Sequence, residues 1–225
     1  MKMRPVPLSE VGELILGEPL KYAALIALGV TTGCRVTELL LLRRFDLLTP
    51  EGDLKSLIRF RKLKTRRLAE KPPVRGRPAK VRRESRSPGY AEGTAGRELE
   101  LPAGFREVVE EHLIAEELRG YDRPDDWVFR GTCGDHLSRQ TVYRHFRERL
   151  GQGHGTHWMR KTFARAMVVE LEKGLPEGEK HQAPMLLQKA LGHARLDSTL
   201  HYLETEERRI VAAQRAAFGG VLRCR

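Results

Sequence analysis

The sequence predicts a mainly α fold with one small antiparallel β-sheet (α+β). Three observations lead there. Most of the 225 residues fall into segments with apolar residues at helical spacing, bounded by Ser, Pro or Gly. Only two short stretches alternate as strands do. A chain of this length can bury a substantial core, and 40% hydrophobic residues argue against wholesale disorder.

The elements follow in order. Ser9 is placed to cap a helix beginning VGELIL. Pro19 opens LKYAALIALGVTT, which is apolar on nearly all sides and therefore reads as buried; Gly33 ends it. Arg35 then stands at the start of VTELLLLR, a further helix. Residues 54–63, LKSLIRFRKL, alternate apolar and basic positions and predict a strand; residues 97–101, RELEL, predict a second. Pro102 starts a helix that ends at Gly120, and WVF at 127–129 reads as a short buried piece. Ser138 is expected to cap RQTVYRHFRERL, and Thr156 to cap WMRKTFARAMVVELEKG. HQAPMLLQKALG forms the next helix, a short one carries Tyr202, and EERRIVAAQRAAF closes the chain.

Charge narrows the partner. Lys and Arg number 41 against 30 Asp and Glu, a net +11, which is the footprint of a polyanion binder. The excess is concentrated: residues 59–86 hold 13 Lys and Arg against two Glu. Such a stretch, rich also in Pro and Gly, cannot pack as a core, and its length within a compact domain points to function. It is expected to be a long hairpin arm or loop. Cys34, Cys133 and Cys224 are isolated, with no metal-ligand spacing and no disulfide framework, so a reducing cytoplasm is the simplest home. No apolar stretch follows the basic N-terminus as in a signal peptide, and the apolar run 23–30 is too short to span a bilayer.

Five residues carry chemistry. Arg35, His157, Arg160, His193 and Tyr202 are the parts needed to break a phosphodiester through a phosphotyrosine. Tyr is a weak nucleophile and must be helped. The planar guanidinium of Arg donates to two non-bridging oxygens and stays charged as negative charge grows in the transition state. His can donate or accept a proton near neutral pH. His157 and Arg160, three apart, share a helix face near an N-terminus that itself favours an anion. A lysine on the strand can protonate the leaving oxygen. Alone, each residue has an ordinary structural reading: surface salt bridge, helix cap, packing. His154, His181 and His201 are read as non-catalytic, Cys34 as a small buried hydrophobe and Trp158 as core.

Three segments resemble the boxes of tyrosine recombinases of the phage-integrase type. TTGCRVTELLLLRRFDL resembles their first arginine motif, THWMRKTFA their His-x-x-Arg box, and LGHARLDSTLHY their Leu-Gly-His motif followed by the nucleophilic Tyr. They occur in the family's order, and the resemblance as a whole covers residues 8–205. The resemblance implies a catalytic domain over 1–205, with 66–96 inserted in a β-hairpin, and a C-terminal helix and tail over 206–225 that is a candidate for docking on a neighbouring protomer. It implies that Arg35 and Arg160 clamp the scissile phosphate and that Tyr202 attacks it. His157 would act as acid, base or phosphate ligand, and His193 would hydrogen-bond the phosphate. Glu38 matches the acidic residue that orients the site. Lys64 best fits the family's lysine, with Lys62 the alternative. Arg59, Arg61, Lys62, Arg66, Arg67, Arg75, Arg77, Lys80, Arg82 and Arg83 would contact DNA.

The implied reaction is site-specific DNA recombination through a 3′-phosphotyrosine. It needs neither ATP nor metal, and no cofactor is expected. The implied partners are double-stranded recombination sites and further copies of the chain, two per site and four in a synapse, on the nucleoid of the cytoplasm and with no membrane. Two departures stand out: the pattern begins almost at Met1, either as in compact invertases of the fimbrial-switch kind or because the sequence is a piece of a longer protein, and the basic insertion exceeds the family's usual hairpin turn. Relaxation of DNA by a type IB topoisomerase, or DNA binding without cutting, are the alternatives.

Overall fold

The helix that follows Pro19 is the axis of the fold. A computed structural model of the chain describes residues 4–60, 97–132 and 134–191. In it α1 (Leu8–Leu16) leads into α2 (Leu20–Thr32), whose Ala24, Leu25, Ile26, Ala27 and Leu28 are fully buried. A helix apolar all round must be enclosed, and α2 is: α1, α3 (Val36–Leu40), α5 (Ala103–Glu117) and α7 (Trp158–Gly174) all pack on it. Each fully buried Leu or Ile here contributes about 1.5–3 kcal/mol relative to exposure.

Glycines set how closely α7 approaches. A Cβ on Gly29 would lie 2.5 Å from the Met159 sulfur, so the bare backbone lets α7 seat against α2. Gly33 ends α2 in the left-handed region at φ 60°, and its N–H bonds back to the Gly29 carbonyl. A Cβ there would lie 2.3 Å from the Phe163 ring.

The remaining elements fill in around this axis. After α3 comes a single turn, α4 (Arg44–Leu47). The sheet has two antiparallel strands, β1 (Leu57–Phe60) and β2 (Arg97–Glu100), with Ile58 opposite Leu99 and Arg59 opposite Glu98. Ile58 and Phe60 point into the core and Leu57 outward, as the alternation requires. α5 buries Val109, His112, Leu113 and Glu116, an i, i+3, i+4, i+7 stripe. The buried piece at 127–129 follows: Val128 bonds the Leu42 carbonyl, and its own carbonyl meets His112 Nε2 at 2.9 Å. α6 (Arg139–Leu150) is capped by Ser138, whose Oγ accepts from the Thr141 N–H at 3.0 Å. A 3₁₀ turn, Glu177–Gln182, precedes α8 (Ala183–Leu191), which packs on α7.

The mainly α class with a small antiparallel sheet holds, while several boundaries differ from expectation. α1 begins at Leu8 with Pro7 at its cap, so Ser9 lies in the first turn; proline's fixed φ and missing N–H suit a helix start. Thr156 does not cap α7. It is buried in the preceding turn, where the Trp158 N–H bonds the Gly155 carbonyl, and His157 occupies the cap position. β1 is shorter at its start than 54–63, because Leu54 instead bridges Leu48 across a tight turn at Gly52, φ 95°. β2 stops at Glu100, one residue before the expected end and ahead of Pro102. α5 ends at Glu117, with Gly120 in the turn beyond. The segment from His181 starts as a 3₁₀ turn, and the α-helix begins at Ala183, where Pro184 falls in the first turn and its missing N–H costs nothing. The insertion 66–96, residues 61–63 and the helices expected beyond Leu191 lie outside the described residues.

Gly33→Ala is expected to destabilise the protein by about 2–4 kcal/mol, because a left-handed φ and the Phe163 ring both oppose a Cβ. Chemical denaturation reads this directly; a loss under about 0.5 kcal/mol would show that α7 is not held against α2 at this point.

Candidate active site

Arg35 sits at the cap position of α3, two residues after the left-handed Gly33. Its backbone N–H donates to Glu38 Oε2 at 2.7 Å, and its Nη1 lies 3.3 Å from Glu38 Oε1. Glu38 is itself buried, so one carboxylate satisfies an orphan donor of the helix start and aims the arginine. The Arg35 side chain keeps 45% of its surface exposed.

Arg160 lies in the first turn of α7 and is 1% exposed. It donates from Nη1 to the carbonyl of Gly33 and from Nη2 to the carbonyl of Leu191 at 2.8 Å. The first acceptor is the cap of α2, just ahead of Arg35. The second is the last residue of α8, just ahead of Gly192-His193. One guanidinium thus ties the backbones that lead into two of the three boxes. Its planar fork suits it to two acceptors in fixed directions.

His157 occupies the cap position of the same helix and is half-buried. Burial lowers its pKa below the ordinary 6.5, and the charges of Arg139, Arg160, Arg35 and Lys161 push the same way. The positive charges gathered at this helix start disfavour a further cation there. Lys161 stands one turn below His157 on α7, and its N–H bonds the His157 carbonyl at 3.1 Å.

The fold brings Arg35, Glu38, His157 and Arg160 to one junction of α2, α3, α7 and α8. Lys64, Lys62, His193 and Tyr202 lie outside the described residues, as do Arg61, Arg66, Arg67, Arg75, Arg77, Lys80, Arg82 and Arg83. Arg59 is described: it faces outward from β1, 72% exposed, and pairs across the sheet with Glu98, Nε to Oε1 at 2.7 Å. Arg139 and Lys161 were not singled out from sequence. Lys161 had a signal, its i+4 spacing from His157. Arg139 had none, since it opens another helix and bears on His157 only through its charge. Cys34 and Trp158 are core, as read. Among the described residues no group of three His, Cys, Asp or Glu is placed to hold a metal ion. Nor is any described helix long and apolar enough to cross a membrane.

No protein-family model matches the chain, and no curated protein matches it in sequence. Solved structures do match in shape. A XerA recombinase superposes with TM-score 0.60 at 18% identity, over 100% of this chain and 67% of that one. A XerH site-specific recombinase, bound to palindromic difH substrate in a post-cleavage complex, gives 0.56 at 21%, over 96% and 53%. The integrase of transposon Tn1549, in complex with a circular intermediate DNA, gives 0.59 at 16%, over 93% and 66%. The fold is that of the tyrosine-recombinase catalytic domain. The chain spans about half to two thirds of the length of these recombinases.

In an NMR titration the His157 ring of this recombinase-fold domain is expected to titrate below 6.5, and to move upward when a phosphodiester anion neutralises its cationic neighbours. A midpoint at or above 6.5 would remove the cationic site. His112 is lowered too, chiefly by burial. Both groups are depressed in the folded state, so their stability is complete above 6.5 and lost as pH falls through the folded values; the melting temperature should drop on acidification across that window.

Proposed function

We propose that the protein is a site-specific DNA recombinase that cuts and rejoins strands through a 3′-phosphotyrosine. The observation that carries the reading is the junction of the motif-bearing helices, where Arg35 bonded to Glu38, the half-buried His157 at the α7 cap and Arg160 tied to the Gly33 and Leu191 carbonyls come together. A phosphodiester is the anion that such a cluster suits, and its distribution over the two non-bridging oxygens matches guanidinium donors. The recombinase fold, shared with structures of proteins bound to DNA substrate and to circular intermediate DNA, supports the same substrate class.

In this reading the scissile phosphate sits between Arg35 and the α7 start. Tyr202 Oη attacks phosphorus and gives up its proton, for which neutral His157 is the acceptor in the field of the site. The bond from phosphorus to the 5′-oxygen breaks, and Lys64, or Lys62, protonates the leaving oxygen. His193 hydrogen-bonds a non-bridging oxygen. The 5′-hydroxyl of a partner strand reverses the step, so bond energy is retained and no ATP is consumed. Arg160, buried and tied to two carbonyls, acts by fixing the site as well as by its charge. Recombination needs paired sites, hence two protomers on each and four in a synapse, with residues 206–218 as the docking segment. The basic insertion 66–96 serves as a DNA-contacting arm, and the protein works at the nucleoid.

Nicked suicide duplexes carrying candidate sites, incubated without Mg²⁺ and run on a denaturing gel, should give a covalent adduct with wild type and none with Tyr202→Phe. An adduct that persists in Tyr202→Phe assigns the nucleophile elsewhere; relaxation of plasmid lacking any site favours a topoisomerase; tight binding with no adduct on any duplex favours a binder that does not cut. Separately, deleting residues 70–92 should weaken duplex binding and flatten its dependence on salt, because fewer phosphate contacts release fewer counterions. An unchanged salt slope would rule out the arm.

A further inference from the structure

α6 packs on α3, whose cap is Arg35, and opens with Arg139, whose charge bears on His157. Something must hold that helix at the right rotation. Its apolar side seats Val142 and Phe146 in the core, and Phe146 meets Trp158 of α7 edge-on with ring centroids 5.6 Å apart. Apolar contact keeps the helix down but is not directional, and it leaves rotation weakly fixed.

Besides the Leu137 N–H bond to the Phe129 carbonyl at 2.7 Å just before the helix, directional contacts come from the turn between α1 and α2. The Glu18 side chain is completely buried there, 0% exposed. Its Oε2 accepts from His145 Nε2 at 2.6 Å, and its Oε1 accepts from Arg149 Nε at 3.2 Å. Arg149 Nη2 also donates to the Gly17 carbonyl at 2.8 Å. Tyr22, in the first turn of α2, stacks flat on the His145 ring, 3.6 Å between centroids and 6° between planes. His145 and Arg149 are four apart, so both lie on one face of α6. A carboxylate out of water requires such partners, and two attachments in fixed directions set a helix's rotation as well as its distance. None of these residues lies in the three motif segments.

We propose that Glu18 is a positioning residue for the candidate site: through His145 and Arg149 it sets the rotation of α6, the helix that packs on α3 and on Trp158 next to His157 and that opens with Arg139. Its effect on DNA rests on the recombinase reading; its effect on the geometry does not.

The test follows the NMR titration of the His157 ring, affinity for a fluorescent duplex of mixed sequence, and melting temperature, in wild type, Arg139→Ala, Glu18→Ala and Glu18→Gln. Arg139→Ala removes a neighbouring cation and should raise the His157 midpoint. Glu18→Ala should raise it in the same way and weaken duplex binding about tenfold, the loss of one well-placed cation–phosphate contact. Glu18→Gln keeps a side chain of the same shape that can still reach both partners, and should return the midpoint toward wild type. His145→Gln and Arg149→Gln each remove one attachment and leave the carboxylate a partner. Each should move the midpoint part of the way, which keeps the test decisive if Glu18→Ala fails to fold. A His157 midpoint that stays at the wild-type value in folded Glu18→Ala, or in both single-attachment variants, overturns the proposal, whatever happens to the melting temperature. If wild type binds no duplex, the recombinase reading fails while the His157 titration still decides the positioning role.

Discussion

Arg160 donates to the carbonyls of Gly33 and Leu191, and the geometry of the whole site hangs on that pair of bonds. Burying a guanidinium costs several kcal/mol unless its donors find acceptors. Here the acceptors are backbone carbonyls, that of Gly33 at the cap of α2 and that of Leu191 in α8. The carbonyl end of α2 carries the negative side of its helix dipole, which further favours a cation there.

The same junction depends on backbone spacing. α7 can bring Arg160 to the end of α2 only because Gly29 and Gly33 present no side chain to Met159 and Phe163. Gly33 serves three ends at once. It turns the chain through a left-handed conformation, lets Phe163 pack, and offers its carbonyl to Arg160. Two residues on, Glu38 secures Arg35 by accepting from its backbone and its side chain.

Local devices were legible in the sequence. Pro19, Gly33, Ser138 and the continuous apolar face of α2 act within a turn or two, and each appears where its chemistry puts it. Ser9 and Thr156 were misread as caps for a related reason: a proline just upstream of one, and a hydrogen-bonded turn holding the other in the interior, supplied stronger local solutions. Of the candidate site, Arg35, His157 and Arg160 could be picked out by type and spacing, and Glu38 through the family resemblance. What they touch could not. Arg160 finds its acceptors 127 and 31 residues away, and both are main-chain atoms that no side-chain pattern marks. Arg139 opens a different helix from His157, and the Glu18 contacts span 127 and 131 residues. Tertiary packing creates these neighbours.

The described core comprises two clusters of unequal size, and α7 belongs to both. Its first residues, Trp158 and Met159, are part of the large cluster built around α2, whereas Phe163 and Ala164 form a separate small one with Leu187 and Leu191. The free energy of local opening tracks the apolar surface that each unit buries. Among the described residues α8 thus lies outside the main core, packed with Phe163 and Ala164 in the smaller cluster and bonded by Arg160 through Leu191, on a helix whose other end belongs to the main core. In the language of foldons, α7 spans two units, and the segment that carries Tyr202 follows the smaller one in sequence.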